Sequence, residues 1–333
     1  MEYSGFKLAS MINDPFNLAA DFVKEWVSDK TYVEAYTSGS TGSPKLIRLK
    51  KSDMLISAKA TCEIFDITCG SKLYLPLSTE YIAGKMMVVR ALASGADLYV
   101  DKPSNNYCGS YCNKFDLAAI VPSQIDGFLD NTPENYCRQL IVGGGSVSVK
   151  QRDGLLCRPD IKSFSTYGMT ETCSHVALSA ISHNSEPNVY KGLPGITFSL
   201  DKRGCLIINA PAFSFRQLVT NDTAELISST SFILTGRIDN VINSGGIKIH
   251  PEKVEAAIDA VIPYPFYITW RFSDKWGKEA VLVIENSETT AFDTSKILMK
   301  IRERLPHEQC PKEIIVLNEF KRTSSGKIIR AHL

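Results

Sequence analysis

Between residues 73 and 166 the chain sets short apolar runs against longer stretches of helical spacing. The runs at 73–77, 97–100, 117–121, 139–142 and 161–166 have the length of strands. Residues 83–93 and 147–156 carry the spacing of helices. Strands interleaved with helices predict an α/β layered sheet, partly parallel. Upstream, Leu46-Ile-Arg-Leu reads as a strand, and Ser52-Asp53 opens a helical pattern. Downstream, the segments at 206–208 and 224–234 shorten and turn residues crowd in, which predicts a small β region.

The pattern changes at Gly236-Arg-Ile-Asp-Asn240. Beyond it stand a glycine turn at Ser244-Gly-Gly246, then a helix from Pro251 to about residue 260. Proline suits a helix start because its missing N–H has no helical partner there. Strands at 267–272 and 280–284, a helix at 295–305 and a strand at 313–317 complete a small α+β module. Two domains follow as the expectation: a large α/β body over 1–236 and a smaller unit over 237–333.

Composition narrows the class. The chain has 333 residues, 44% of them apolar and 22% charged, as in ordinary globular proteins. A net charge of +1 argues against a general nucleic-acid binder. No run approaches membrane-spanning length, and no signal-peptide zones open the chain. Nine scattered cysteines without a second pair at metal spacing fit small hydrophobes in a reducing cytoplasm.

Candidate chemistry begins at Tyr36-Thr-Ser-Gly-Ser-Thr-Gly-Ser-Pro-Lys45. Gly39 and Gly42 let backbone N–H groups converge on an anion. Thr37, Ser38, Ser40, Thr41 and Ser43 add hydroxyl donors, and Lys45 adds a mobile charge. The spacing is not that of a Walker loop, which needs Gly-Lys-Ser/Thr after the second glycine. A flexible linker is the alternative, although the strand and helix that follow embed the loop in a fold. Further on, Tyr167-Gly-Met-Thr-Glu-Thr172 offers a flat ring, a hydroxyl and a hard oxygen ligand. By itself it also reads as a helix cap.

These two segments are followed in order by Gly236-Arg-Ile-Asp-Asn-Val-Ile-Asn-Ser-Gly-Gly-Ile-Lys-Ile249 and Thr323-Ser-Ser-Gly-Lys-Ile-Ile-Arg330. In that register the chain resembles the acyl-adenylate-forming superfamily of acyl-CoA synthetases, luciferases and peptide-synthetase adenylation domains. The resemblance implies the adenylate-forming fold, with a mobile C-terminal lid. It implies ATP, Mg²⁺ and coenzyme A as reaction partners of a carboxylic acid. The loop Thr37–Gly42 with Lys45 would then hold the β- and γ-phosphates. Gly143-Gly-Gly145 matches the segment beside adenine, Tyr167 the ring that stacks on it, Thr170 the α-phosphate contact and Glu171 the Mg²⁺ ligand. Asp222 and Arg237 match the ribose-binding pair, and Lys327 the lid lysine of adenylation. Asp239 matches the hinge. The turn of Gly245 and Gly246, with Lys248, would line the coenzyme A tunnel.

The chain departs from the pattern where only thirty-five residues precede the first loop, so much of the usual N-terminal subdomain is expected to be missing. Tyr81 stands near where many relatives place a pocket histidine, and Lys321 where they place a proline. The continuation Thr172-Cys-Ser-His resembles o-succinylbenzoate–CoA ligases of menaquinone biosynthesis. Their acid has two carboxylates, one of which must be met by a cation or polar donors. Arg90 is the candidate cation, with Ser174, His175 and Tyr81 as further pocket residues. Alternatively Arg90 snorkels to solvent or pairs with Asp97. Two other functions remain open at this point: an adenylation enzyme that loads a separate carrier protein, and a nucleotide binder that has lost catalysis. A homo-oligomer is compatible with either.

Overall fold

The computed structural model describes residues 11–36, 45–104, 110–185, 188–287, 293–322 and 328–331. In chain order the first strands and helices are β1 (Ile12–Asn13), α1 (Ala20–Val27), β2 (Tyr32–Tyr36), β3 (Leu46–Lys50), α2 (Lys51–Ile64), β4 (Lys72–Leu75), α3 (Ile82–Ser94), β5 (Asp97–Val100) and β6 (Leu117–Ile120). They continue with α4 (Ile125–Asn131), β7 (Gln139–Val142), α5 (Val149–Leu156), β8 (Lys162–Gly168) and β9 (His175–Ile181). Then come β10 (Val189–Gly192), β11 (Thr197–Leu200), β12 (Cys205–Ala210), β13 (Arg216–Ser228) and β14 (Ser231–Arg237).

Among the described residues, twelve strands join in the order β1-β5-β4-β6-β7-β8-β9-β10-β14-β13-β12-β11. From β1 to β8 every pairing is parallel; from β8 to β11 every pairing is antiparallel. The apolar runs that stood out in the sequence are the parallel strands. β6 and β7 are buried along their whole length, as strands covered on both faces must be. α2 and α3 pack over one face, with Met54, Met86, Met87 and Val89 in the core. The other face holds Tyr74, Phe115 and Phe128, each in edge-to-face contact with Tyr136.

The small β region expected around 224–234 is instead a long hairpin of the main sheet. β13 runs for 13 residues and pairs with both β12 and β14. Its polar middle hid it from a reading of apolar pattern. Thr220 donates to the carbonyl of Leu206, and Thr235 donates to Thr223, so these side chains are buried with partners.

After a short 3-10 turn at Ile238–Asn240 a second sheet begins. It contains β15 (Ile242–Ser244), β16 (Ile247–Ile249), β17 (Phe266–Ser273), β18 (Gly277–Glu285) and β19 (Glu313–Leu317). α6 (Pro251–Ile258) and α7 (Thr294–Arg302) cover it, and its core around Val254, Ile268, Leu282 and Ile301 is its own. Among the described residues, polar contacts that join it to the first unit include Lys253 to Glu225 at 2.8 Å and the Val149 N–H to Asp259 Oδ2 at 2.5 Å. The last places a carboxylate on the first amide of α5, where the helix has no internal acceptor to offer.

Helix α3 crosses the chain at Ser78 and Thr79 so closely that a Cβ on Gly84 would lie 2.2 Å from the Ser78 carbonyl oxygen. Gly84→Ala is therefore expected to destabilise the fold by about 2–4 kcal/mol, read as a lower urea midpoint with an unchanged m-value. An unaltered midpoint would show that the helix can lift off this backbone freely.

Candidate active site

The sheet changes from parallel to antiparallel between β8 and β9, and the Tyr167–His175 turn lies at that change. The carboxyl end of β7 runs into Gly143-Gly-Gly145 beside it, the usual place for a ligand crevice in such sheets. Two features force the turn. A Cβ at Gly168 would stand 2.3 Å from the Ser174 carbonyl oxygen, and Cys173 adopts a φ of 62°. Thr172, fully buried, holds the loop shut: its hydroxyl accepts from the Met169 N–H and approaches the carbonyls of Met169 and Ser174.

One polar group forms on the β13/β14 side. Asp222 and Arg237 are directly paired across the two strands. Asp222 accepts from the Tyr167 hydroxyl at 2.8 Å and from Arg237 Nη1 at 3.3 Å. Arg237 reaches on to Asp239 at 2.8 Å, and Asn221 donates to both oxygens of Asp239. Burial and the Asp222 charge push the Tyr167 hydroxyl well above its ordinary pKa, so it stays a donor. The Tyr167 ring packs edge-on to Phe232 and leaves 7% of the residue exposed. Its hydroxyl anchors Asp222.

A second group lies under the turn. Arg90, 2% exposed, donates from Nη2 to Ser174 Oγ at 2.5 Å. Ser174 Oγ lies 3.3 Å from His175 Nδ1, and His175 Nε2 lies 3.3 Å from Thr61 Oγ1. The expected alternatives for Arg90 do not hold: the side chain is not at solvent, and among the described residues no carboxylate, Asp97 included, pairs with it. Its Nε has no partner. Burial pulls the guanidinium down to about 10, which still leaves it charged at neutral pH. Burial first, and Arg90 second, hold His175 far below its ordinary value, so the imidazole is neutral.

The structure thus gathers Tyr167, Asp222, Arg237 and Asp239 in one place and Arg90, Ser174 and His175 in another, both along one turn. Thr170 is half-buried and Glu171 exposed. Among the described residues no cluster of three or more metal-ligating side chains occurs. Gly144 has a φ of 84°, and a Cβ on Gly143 would meet the Thr166 hydroxyl at 2.6 Å. Tyr81, half-buried, precedes α3 and donates its N–H to the Ser78 carbonyl. Gly245 and Gly246, at φ 57° and 88°, form the two-residue turn between β15 and β16. They and Lys248 are exposed, and no hydrogen bond among the described residues ties them to either group. Lys45 is exposed as well. Thr37, Ser38, Gly39, Ser40, Thr41, Gly42 and Lys327 lie outside the described residues. Thr61 and Asn221 were not foreseen; each meets its partner only through the tertiary fold.

Residues 9–203 match the family described as AMP-binding enzyme. A 2-succinylbenzoate–CoA ligase of Haemophilus influenzae is 28% identical over 74% of this chain; the match spans 56% of that protein's length. The crystal structure of an acyl-CoA synthetase (AMP-forming)/AMP-acid ligase II-like protein from Dyadobacter fermentans is 33% identical, with a TM-score of 0.62 over 94% of this chain and 91% of its own. O-succinylbenzoate coenzyme A synthetase from Bacillus subtilis, solved with ATP and magnesium, shares the fold with a TM-score of 0.76 at 21% identity, over 89% of this chain and 68% of its own.

The neutral His175 has a consequence for stability. Below its ordinary pKa of 6.5 the unfolded chain takes up a proton that the folded one refuses. Stability is therefore complete above that pH and falls as pH drops through the window beneath it, by up to about 1.4 kcal/mol per pH unit. His175→Gln is expected to remove this slope, seen as a smaller loss of Tm between pH 7 and pH 5.5 than in the parent. Equal losses would mean that the imidazole is already protonated in the fold.

Proposed function

This chain belongs to the AMP-binding enzyme family, and on that footing we propose that it activates a carboxylic acid with ATP and passes the acyl group to coenzyme A. In the first step a carboxylate oxygen bonds to the α-phosphorus, the bond to the bridging oxygen breaks, and pyrophosphate leaves with its electron pair. In the second the thiol sulfur bonds to the acyl carbon, the acyl–oxygen bond breaks, and AMP leaves. The thiol proton passes to solvent.

The observation that carries the choice of acid is Arg90. A guanidinium that is 2% exposed, charged and without a carboxylate among the described residues is an incomplete ion pair. A substrate with a second carboxylate completes it. o-Succinylbenzoate fits, because only its succinyl carboxylate is activated and the ring carboxylate is left to bind. The relatives from Haemophilus influenzae and Bacillus subtilis carry names for that acid, which supports the same choice here.

The other residues take their parts around this pair. Asp222 keeps lone pairs free after accepting from Tyr167 and Arg237, so it can accept from two ribose hydroxyls. Gly143–Gly145 would border the adenine and Thr170 the α-phosphate. Glu171 would hold Mg²⁺, which when bound draws charge from the phosphates. We assign residues 1–236 to the body and 237–333 to a lid that turns about Asp239. From the lid Lys327 serves adenylation, and the Gly245–Gly246 turn with Lys248 serves the thiol step. The separate apolar core of the second sheet supports that division. Eight cysteines, unpaired among the described residues, suit a reducing cytoplasm.

Pyrophosphate release across a panel of acids tests the proposal. It is expected with o-succinylbenzoate, with coenzyme A consumed in step. Arg90→Ala should raise the KM for this acid by about thirtyfold or more and leave that for ATP nearly unchanged. Release that ignores the acid's second carboxylate would overturn the substrate assignment.

Lys327→Ala is expected to slow pyrophosphate release by about 10²–10³-fold while thioester formation from supplied acyl-adenylate continues. Equal loss of both half-reactions would refute the lid assignment.

A further inference from the structure

The hydrogen bonds beneath the turn can be ordered by counting protons. The Thr61 hydroxyl has one hydrogen, and it is given to the Ser57 carbonyl at 3.0 Å. At its contact with His175, Thr61 Oγ1 must then accept, so the proton of the neutral imidazole is on Nε2. That leaves Nδ1 as an acceptor, and the nearby donor is the Ser174 hydroxyl. With its hydrogen turned to His175, Ser174 Oγ presents lone pairs to Arg90 Nη2. The chain runs one way, from Arg90 through Ser174, His175 and Thr61 to the Ser57 carbonyl.

We propose that Thr61 is a positioning residue for acid recognition: by fixing the Nε2–H form of His175 it gives the Ser174 hydrogen an acceptor, and the serine so oriented holds Arg90 in place without neutralising it. Thr61 is fully buried, and the network contains only neutral acceptors. The guanidinium is oriented by dipoles, and its charge is left for a carboxylate of the ligand. In the opposite tautomer Ser174 Oγ would accept from both Nδ1–H and Arg90, and the serine hydrogen would lose the His175 acceptor that fixes its direction. The inference rests on the assignment of Arg90 to the second carboxylate of the acid.

Two measurements on the full chain test it. In ¹⁵N-histidine-labelled protein, His175 is expected to show the shifts of an Nε2–H imidazole; an Nδ1–H signature overturns the proposal without need of any variant. Kinetically, Thr61→Val keeps the side-chain shape and removes the acceptor. It should raise the KM for o-succinylbenzoate by about fivefold or more. The KM for ATP, and that for an analogue lacking the ring carboxylate, should stay within about twofold, since neither uses the charged hydrogen bond at issue. Thr61→Ser should restore the parental value. A rise shared by all substrates, or no rise with Thr61→Val beside an impaired Arg90→Ala, sinks the role of Thr61 alone. Normal dicarboxylate affinity in Arg90→Ala sinks the reading of the pocket and this inference together.

Discussion

The reversal of the chain between β8 and β9 is the constraint on which the rest of this architecture depends. A parallel strand ends there and an antiparallel partner begins within a few residues. The reversal is possible because position 168 has no Cβ to strike the Ser174 carbonyl. Because the turn is so tight, it projects side chains to both sides. Tyr167 is drawn toward β13 and β14, Thr170 and Glu171 sit on the outer bend, and Ser174 and His175 are driven inward onto α2 and α3. A looser connection would separate these groups, since each is aimed by backbone and not by its own packing. The left-handed Cys173 is held in place by the buried hydroxyl of Thr172, which bridges the loop.

On either side of the turn the protein treats charge differently. Asp222, Arg237 and Asp239 form a chain of alternating sign, partly open to solvent, in which each carboxylate is matched. Arg90 is enclosed and left in excess. Burying a cation in this way costs stability, and the hydrogen bond from Ser174 offsets only part of it. A site that keeps such a debt unsettled favours an anionic ligand over a neutral one of equal shape, because only the former removes the penalty.

Much of this was legible in the sequence for physical reasons. Central parallel strands must be apolar on both faces, so 97–100, 117–120 and 139–142 announced themselves. Glycine at sites of close approach and the acid–base residue types of the motifs were equally plain. What escaped was burial achieved by polar partnership. The first half of β13 went unread because Thr220, Asp222 and Thr223 are inside the protein through hydrogen bonds. Thr61 looked like an ordinary helix residue, since its contact with His175 joins positions 114 apart in the chain. Arg90 was visible as a cation in an apolar helix, but whether it had a counter-ion depended on packing that no local pattern records.

The carboxylate of Asp259 on the first amide of α5 deserves a different reading from the cap it supplies. Helix ends are commonly completed by their own chain neighbour, and Ser148 does that for the Gln151 N–H. Here one further amide is completed from the other unit. Any turn of that unit opens this bond, at a cost on the order of 1 kcal/mol. That bond is thus a latch of small depth between the two units.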